Sequence, residues 1–439
     1  MTGLPNCLVA VVGGGAAGMM AAIVAARTIA TAGVDKSGIA VPVVLLEKSD
    51  RVGRKLLATG NGRCNLSNQF MTPDHFHGQD RQFVEALLGR FSVNDTLEFF
   101  LSLGLDCRIE GNGRIYPYSL QSTAVLDLLR RAAARSGVET ISHFDVEDIV
   151  VVDGTDGGFR MVAVDGRFVS ARTSIVATGG MAAPAFGCDG TGYFLLNKFG
   201  HVCTPLFPAI VQIKTDTELV RGLAGIKFEG IAGLRIGSRM AKTASGEILF
   251  TDYGLSGPAI LDLAREIGGV LQMDPAEQVF IELDLLPDME YQRLLTWLKK
   301  RRGLDPDLEL SGFLTGLVHK KIGQAIVKRS LEKPLPLTRP AAELTERSLT
   351  RTAHFLKKLS IRVTGTRGWA QAQVTAGGLK TDQFNHSTLE SKLQPGLFVA
   401  GEILDVDGDC GGYNLQWAWT TGYVAGKSAA LSAIGARRS

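Results

Sequence analysis

The stretch "VAVVGGGAAGMMAA", Val9 to Ala22, decides the fold. Its front end belongs to an apolar, valine-rich run, "CLVAVV" from Cys7 to Val12, which suits a strand buried on both faces. Gly13, Gly15 and Gly18 follow with GxGxxG spacing, and the alanine-rich segment Ala16 to Ala30 suits a helix. The first glycine permits a tight turn, the second lets a pyrophosphate approach the backbone, and the third lets helix and strand pack closely. Free amides at the helix start, by Ala16 and Ala17, then hold the diphosphate. A second apolar strand, "PVVLLEK", ends in Glu47 and Lys48. A carboxylate there can accept from ribose hydroxyls and repels a 2′-phosphate. Glu47 lies 29 residues beyond Gly18, against about 20 in the usual unit. A longer loop, "TAGVDKSGIAV" from Thr31 to Val41, accounts for the excess.

The chain after Glu47 departs from a simple NAD-binding pattern. A basic loop (Arg51, Gly53, Arg54, Lys55) leads into the turn-rich stretch Gly60 to Asn68, with Asn61, Gly62 and Arg63 at its centre. Such a loop can cover a pyrophosphate and continue toward the far end of a longer cofactor. "TSIVATGG", Thr173 to Gly180, reads as a buried strand ending in the small residues Ala177, Thr178 and Gly179. Near the far end, "LFVAGE" delivers Gly401 and Glu402, and Gly411 and Gly412 open a helix through "YNLQWAWTTGYVAG". A helix start aimed at a flavin pyrimidine edge would stabilise its anionic reduced form. The two glycine loops therefore read as the two ends of one site for FAD.

Five stretches carry a family resemblance: "VVGGGAAGMMAA", "TGNGRCNLSN", "GEILFTDYGLSGPAIL", "AQVTAGGL" and "GEILDVDGDCGGYNLQWAW". Together they span nearly the whole chain, which resembles the BaiN/RdsA-type, YhiN-like FAD flavoproteins of bacteria. The resemblance implies an α/β, Rossmann-like FAD-binding domain of the two-dinucleotide-binding-domain type, with two inserted subdomains. It also implies an FAD-dependent oxidoreductase that reduces carbon–carbon double bonds, on bile-acid steroids or on a uridine of ribosomal RNA. By resemblance, cofactor contacts fall on Gly13, Gly15, Ala17, Gly18, Glu47, Lys48, Arg54, Asn61, Gly62, Gly179, Gly401, Glu402, Gly412, Asn414 and Leu415. The family often has histidine where Asp252 stands, so this position is not assigned a catalytic role.

The pattern changes in the middle of the chain. Residues 1–204 and 367–439 read as two parts of the FAD-binding domain. Residues 205–287 alternate as antiparallel strands with glycine turns, and the strand pattern returns at 360–366. Residues 288–359 turn helical and basic: from Tyr291 to Ser360 there are fifteen Lys and Arg against six Asp and Glu. Lys299, Lys300, Arg301 and Arg302, with Lys320, Lys321, Lys328 and Arg329, could line a phosphate-binding surface for ribosomal RNA. A solvated helix face is the alternative, and no RNP motif, KH loop or aromatic-rich basic stretch adds to the RNA reading.

Reduction of an electron-poor alkene needs a hydride on one carbon and a proton on the other. Cys64 is one proton-donor candidate, because Arg63 adjoins it and a cationic neighbour lowers a thiol pKa. Tyr413, on the ring-side loop, is the second. No second GxGxxG follows a strand, so NAD(P)H as reductant would dock transiently or through the inserted segments. A reductase of steroid-like enones and a flavin-bearing RNA-binding protein without turnover stand as alternatives.

The remaining features read as bland. Asp405, Asp407 and Asp409 alternate in one glycine-containing turn rather than a calcium loop, and no metal is expected. His75 and His77 flank Phe76 in a polar loop and read as surface residues. "GYVAGKS", Gly422 to Ser428, is one residue short of a Walker A loop and falls in a helical pattern. The six cysteines are scattered without a CxxC pair, which suits reduced thiols in the cytoplasm. At 439 residues, 45% hydrophobic and 21% charged, two or three globular units are expected. No apolar run suits a bilayer, and the glycines break Cys7 to Ala26 as a signal peptide.

Overall fold

The computed structural model describes residues 2–4, 6–33, 41–152 and 157–435. Most of the loop expected between Thr31 and Val41 lies outside the described residues. The chain divides into two compact units, one formed by Met1–Pro208 with Gln373–Ser439 and the other by Ala209–Ala372.

The first unit is built on a sheet whose central strands are parallel. Its elements are β1 (Cys7–Val12), α1 (Ala16–Thr31), β2 (Val43–Leu46), α2 (Ser122–Arg135), β3 (Val138–Ile141), β4 (Val146–Val152), β5 (Gly158–Ala163), β6 (Arg167–Val176), β7 (Leu397–Val399) and α3 (Tyr413–Gly435). The strand order β3-β2-β1-β6 continues through β5 and β4, and β7 pairs with the far end of β6. β3, β2, β1, β6 and β7 run parallel, whereas β5 pairs antiparallel with both β6 and β4. Every residue of β1, β2 and β7 is buried, as a strand covered on both faces requires.

Helices α1 and α3 make the closest packing in this unit. A Cβ at Gly422 would lie 2.4 Å from the Ala17 carbonyl oxygen, and one at Gly426 would lie 2.4 Å from that of Ala21. Only glycine lets the two backbones approach so closely. The residues of the Walker-like "GYVAGKS" all lie inside α3. Trp417 and Trp419 are almost fully buried, and their indole N–H groups donate to the carbonyls of Gly401 (3.2 Å) and Leu66 (3.0 Å).

The second unit contains a closed antiparallel barrel. Its strands follow the order Ile213–Thr215, Gly254–Ser256, Arg239–Phe250, Lys227–Ile236, Val279–Asp284 and Leu359–Thr366, and the last closes on the first. Closure leaves no unpaired sheet edge. The helices Tyr291–Leu304, Lys320–Ser330 and Glu346–Lys357 belong to the same unit. They are tied to the barrel by Lys357, whose ammonium lies 2.7 Å from Asp284.

A continuous cradle of glycine loops

The glycines of the first loop have different jobs. A Cβ on Gly13 would meet the Ala177 carbonyl oxygen at 2.5 Å, and one on Gly18 would meet the Gly13 carbonyl oxygen at 1.9 Å. These two allow close packing of protein on protein. A Cβ on Gly15 would meet nothing within 4 Å, so its bareness faces open space. Gly15 is also the N-cap of α1, with no side-chain cap and no acidic residue in the first turn. The helix start beginning at Ala16 and Ala17 therefore presents amides and its positive dipole end with no acidic residue in its own first turn, while the Glu47 carboxylate is engaged just before it, on the Gly14 amide.

From this loop the protein contacts run on in an unbroken series. Gly401 has φ +83, and its missing side chain faces the Ala17 methyl at 2.9 Å. Its neighbour Glu402 accepts from Lys55 Nζ at 2.7 Å and from the Thr375 amide at 2.9 Å. Lys55 lies in the short helix Arg54–Ala58, which leads into the loop Thr59–Asn65. Burial works against the Lys55 charge, but Glu402 beside it outweighs this and raises the ammonium pKa. Gly60, Asn61, Gly62 and Cys64 all have positive φ, at 57°, 56°, 83° and 59°. That run curls the backbone, and a Cβ at Gly62 would again meet nothing. The far side of the loop meets Gly412, where a Cβ would lie 2.3 Å from the Ser67 oxygen and 2.8 Å from Asn65 Oδ1. Asn68 clamps the contact by donating 2.9 Å to the Gly411 carbonyl.

Other expected contact residues border this series. The Glu47 carboxylate accepts from the amides of Gly14 (2.9 Å) and Ser49 (2.8 Å), and Lys48 pairs with Asp189 at 2.6 Å. Ala177, Thr178 and Gly179 follow β6, and Thr178 fills the space left by Gly192. Leu415 packs on the core from the first turn of α3. Asn414 uses its amide on its own loop: its oxygen accepts from Gly408 N–H, and its nitrogen donates to the Gly408 and Asp409 carbonyls.

Two buried polar atoms along the cradle have no hydrogen-bond partner in the protein, Asn65 Oδ1 and the Tyr193 hydroxyl. Buried polar atoms are normally paired. These orphans, the open faces of Gly15 and Gly62 and the uncapped start of α1 fit an extended dinucleotide such as FAD.

The HI0933-like protein Rossmann domain matches residues 7–428. The chain belongs to this family. It is 36% identical to the 3-dehydro-bile acid delta(4,6)-reductase of Clostridium scindens over 96% of this chain and 98% of that one. It is 27% identical to the ribosomal RNA dihydrouridine synthase of Haemophilus influenzae, over 95% and 97% of the two chains. The Escherichia coli protein of the same name is 26% identical over 94% and 96%. This HI0933-like chain is a Rossmann-type flavoprotein oxidoreductase, and FAD is its cofactor.

In this HI0933-like protein the Cys64 thiol differs from the sequence expectation, while Tyr413 stands at the start of α3 directly after Gly412. Cys64 is fully buried, and burial pushes its thiol up to about 12. Arg63 does not face it: the guanidinium lies 4.5 Å from the Tyr116 ring centroid and bonds to Glu110 at 3.3 Å. The expected lowering of the thiol pKa is therefore reversed. Tyr413 is 6% exposed, and its ring stacks on His75 with centroids 4.3 Å apart.

His75 and His77 correct the surface reading. Both converge on Asp409, at 3.0 and 2.8 Å, from a segment more than three hundred residues away in sequence. Asn65, Tyr193 and this histidine pair were not singled out from the sequence as site residues, and Lys55 was read only as part of the basic loop that could cover a pyrophosphate. Their only signal was position, since Lys55 and Asn65 flank the "TGNGRC" loop.

Proposed function

We propose that this chain is an FAD-dependent reductase that adds hydrogen across a carbon–carbon double bond conjugated to a carbonyl. Its substrate is a uridine of ribosomal RNA. The observation that carries the reading is the near full-length similarity to enzymes of two names with one shared chemistry. A 3-oxo steroid with Δ4,6 unsaturation and a uracil ring both present an alkene conjugated to a carbonyl.

Bound FAD, once reduced, supplies the hydride. The chain supplies the rest. The amides at the start of α1 hold the diphosphate, Gly13 and Gly18 keep helix and strand close enough to form that turn, and Gly15 leaves room for it. Arg54, Asn61 and Gly62 would cover the pyrophosphate, and Glu402, held by Lys55 at 2.7 Å, would take the ribityl hydroxyls. The start of α3, after Gly411 and Gly412, would offer its positive dipole end to the flavin ring and favour negative charge there. NAD(P)H serves as a transient reductant, and the reaction belongs to the cytoplasm. No described helix is long and apolar enough to cross a membrane.

The RNA substrate is supported by exposed lysines on two helices of the second unit: Lys300, Lys320, Lys321 and Lys328. The other basic residues contribute less. Lys299 and Arg302 both pair with Glu346 at 2.7 Å, and Arg329 lies over the Phe355 ring. A steroid-like enone is the second reading, favoured by the 36% identity to the bile-acid enzyme. Mass analysis of ribosomal RNA from a deletion strain separates them. A missing dihydrouridine restored by the intact gene supports the RNA reading; unchanged dihydrouridine with turnover of a 3-oxo-4,6-diene bile acid replaces it with the second.

A further inference from the structure

His75 and His77 share one carboxylate, because His75 Nδ1 faces Asp409 Oδ2 and His77 Nε2 faces Asp409 Oδ1. An ionised carboxylate only accepts, so each imidazole carries a proton on the nitrogen turned toward Asp409. The opposite nitrogen of each ring is then left to bind a second proton. The side chains of His75, His77 and Asp409 are 35%, 24% and 34% exposed, so solvent protons reach them. Cys64 and Tyr413 have no comparable access, at 0% and 6%.

The cluster is fixed from several sides. Phe76–His77 pairs antiparallel with Asp407–Gly408, and the Asp409 amide donates 2.9 Å to the His75 carbonyl. Asn414 closes the same loop. The charged and titratable groups about His75 are Asp409, which it shares with His77, Tyr413, on which it stacks, and the preceding Asp74, which Arg81 holds in an ion pair. Tyr413, on which the His75 ring stacks, directly follows Gly412, where the cradle ends.

We infer that His75 donates the proton that completes the reduction, with Asp409 as the positioning residue and His77 as the reserve. The assignment rests on the reductase reading above. The alkene π bond breaks as its β-carbon receives a hydride from a dihydroflavin, which is thereby oxidised. The α-carbon forms its new C–H bond with the proton of the His75 imidazolium, whose N–H bond breaks. His75 is left neutral and regains a proton from water or from His77.

Two measurements on FAD-loaded wild type, His75→Gln and Asp409→Asn test this. In histidine-selective NMR, the neutral form of His75 carries its proton on Nδ1, the nitrogen facing Asp409. Asp409→Asn weakens that tautomer preference and also slows reoxidation of the reduced flavin, whereas a merely structural contact would leave the rate unchanged. In the second measurement, dithionite-reduced enzyme is mixed with a 3-oxo-4,6-diene bile acid or a uridine-containing rRNA fragment. His75→Gln slows flavin reoxidation by roughly 10²-fold or more at unchanged FAD content, and the alkaline fall of the wild-type rate disappears. A His75→Gln rate within twofold of wild type overturns the assignment alone. If the variant loses FAD, Asp409→Asn decides, and a rate within twofold of wild type there overturns the assignment. Wild-type enzyme that holds reduced FAD yet passes nothing to either acceptor overturns the reductase reading, and this assignment with it.

Discussion

Lys55 Nζ stands 2.7 Å from Glu402 Oε2, joining two segments 347 residues apart in sequence. Their side chains are 23% and 21% exposed, so the pair is largely but not wholly withdrawn from water. Removing one partner strands the other, a loss of about 3–5 kcal/mol at full burial. Lys55→Met should cost roughly 2 kcal/mol at this partial exposure, measured by urea unfolding, and should lower FAD retention. The Lys55 pKa is raised in the fold, so its contribution is complete below the unfolded lysine value. It is lost only as pH rises above about 10.4 toward the folded value. The wild-type advantage over Lys55→Met should therefore stay level through neutral pH and shrink only in strong alkali.

The thiols of Cys64 and Cys7 are both pushed up to about 12 by burial. In native protein at pH 8 neither should react with a disulfide reagent, whereas both should react once urea unfolds the chain. A raised thiol pKa stabilises the fold fully below the unfolded value and progressively less as pH climbs toward about 12. Alkaline unfolding should accordingly set in above about pH 8.5, and Cys64→Ala should weaken that dependence. Rapid native labelling of Cys64 would contradict its placement.

Glycines with different surroundings should fail differently. Gly15 has φ −78° and open space beyond its Cα, so Gly15→Ala should fold with a melting temperature near wild type. Its FAD content should nevertheless drop severalfold, because the new methyl occupies the ligand's approach. Gly422→Ala forces a methyl to within 2.4 Å of the Ala17 carbonyl oxygen and should cost about 1–3 kcal/mol or more. Thermal melts of the two apoproteins, run beside flavin content after reconstitution, distinguish the cases.

Charge reversal at Lys320 and Lys321 tests the RNA reading. Each neutralised phosphate contributes about 0.7 to 0.9 to the slope of log affinity against log salt. The double variant Lys320→Glu/Lys321→Glu should flatten the salt dependence of rRNA-fragment binding by about one to two units. It should leave reduction of a bile-acid enone within twofold of wild type. An unchanged slope removes these lysines from the RNA surface.

Much of the cradle was legible in the sequence because glycine spacing and buried strands are local signals. Gly13, Gly15 and Gly18 announced their turn, and "LFVAGE" announced the strand beside β6. What stayed hidden was long-range pairing. Nothing near His75 reveals that Asp409 returns to meet it, and nothing near Arg63 shows that its charge turns to Glu110 rather than to Cys64. Adjacency in sequence suggested an acidic thiol; burial, a property of the folded chain, decided the opposite. The inserted middle was readable as strands and helices, but barrel closure depends on Leu359–Thr366 pairing with Ile213–Thr215, far back along the chain.

The pairing of Ser174 with Leu397 has a consequence for biosynthesis. When β6 leaves the ribosome its parallel neighbour β1 is already made, but its parallel neighbour β7 does not yet exist, and the whole of Ala209–Ala372 is translated first. One flank of a hydrophobic strand thus waits unzipped, the condition under which nascent chains stick to one another or recruit chaperones. The barrel shares this delay, since its closing strand Leu359–Thr366 arrives only after the three helices that follow Val279–Asp284. Translation speed across that interval, rather than the strength of any single contact, should set how much of the newly made protein reaches its native state.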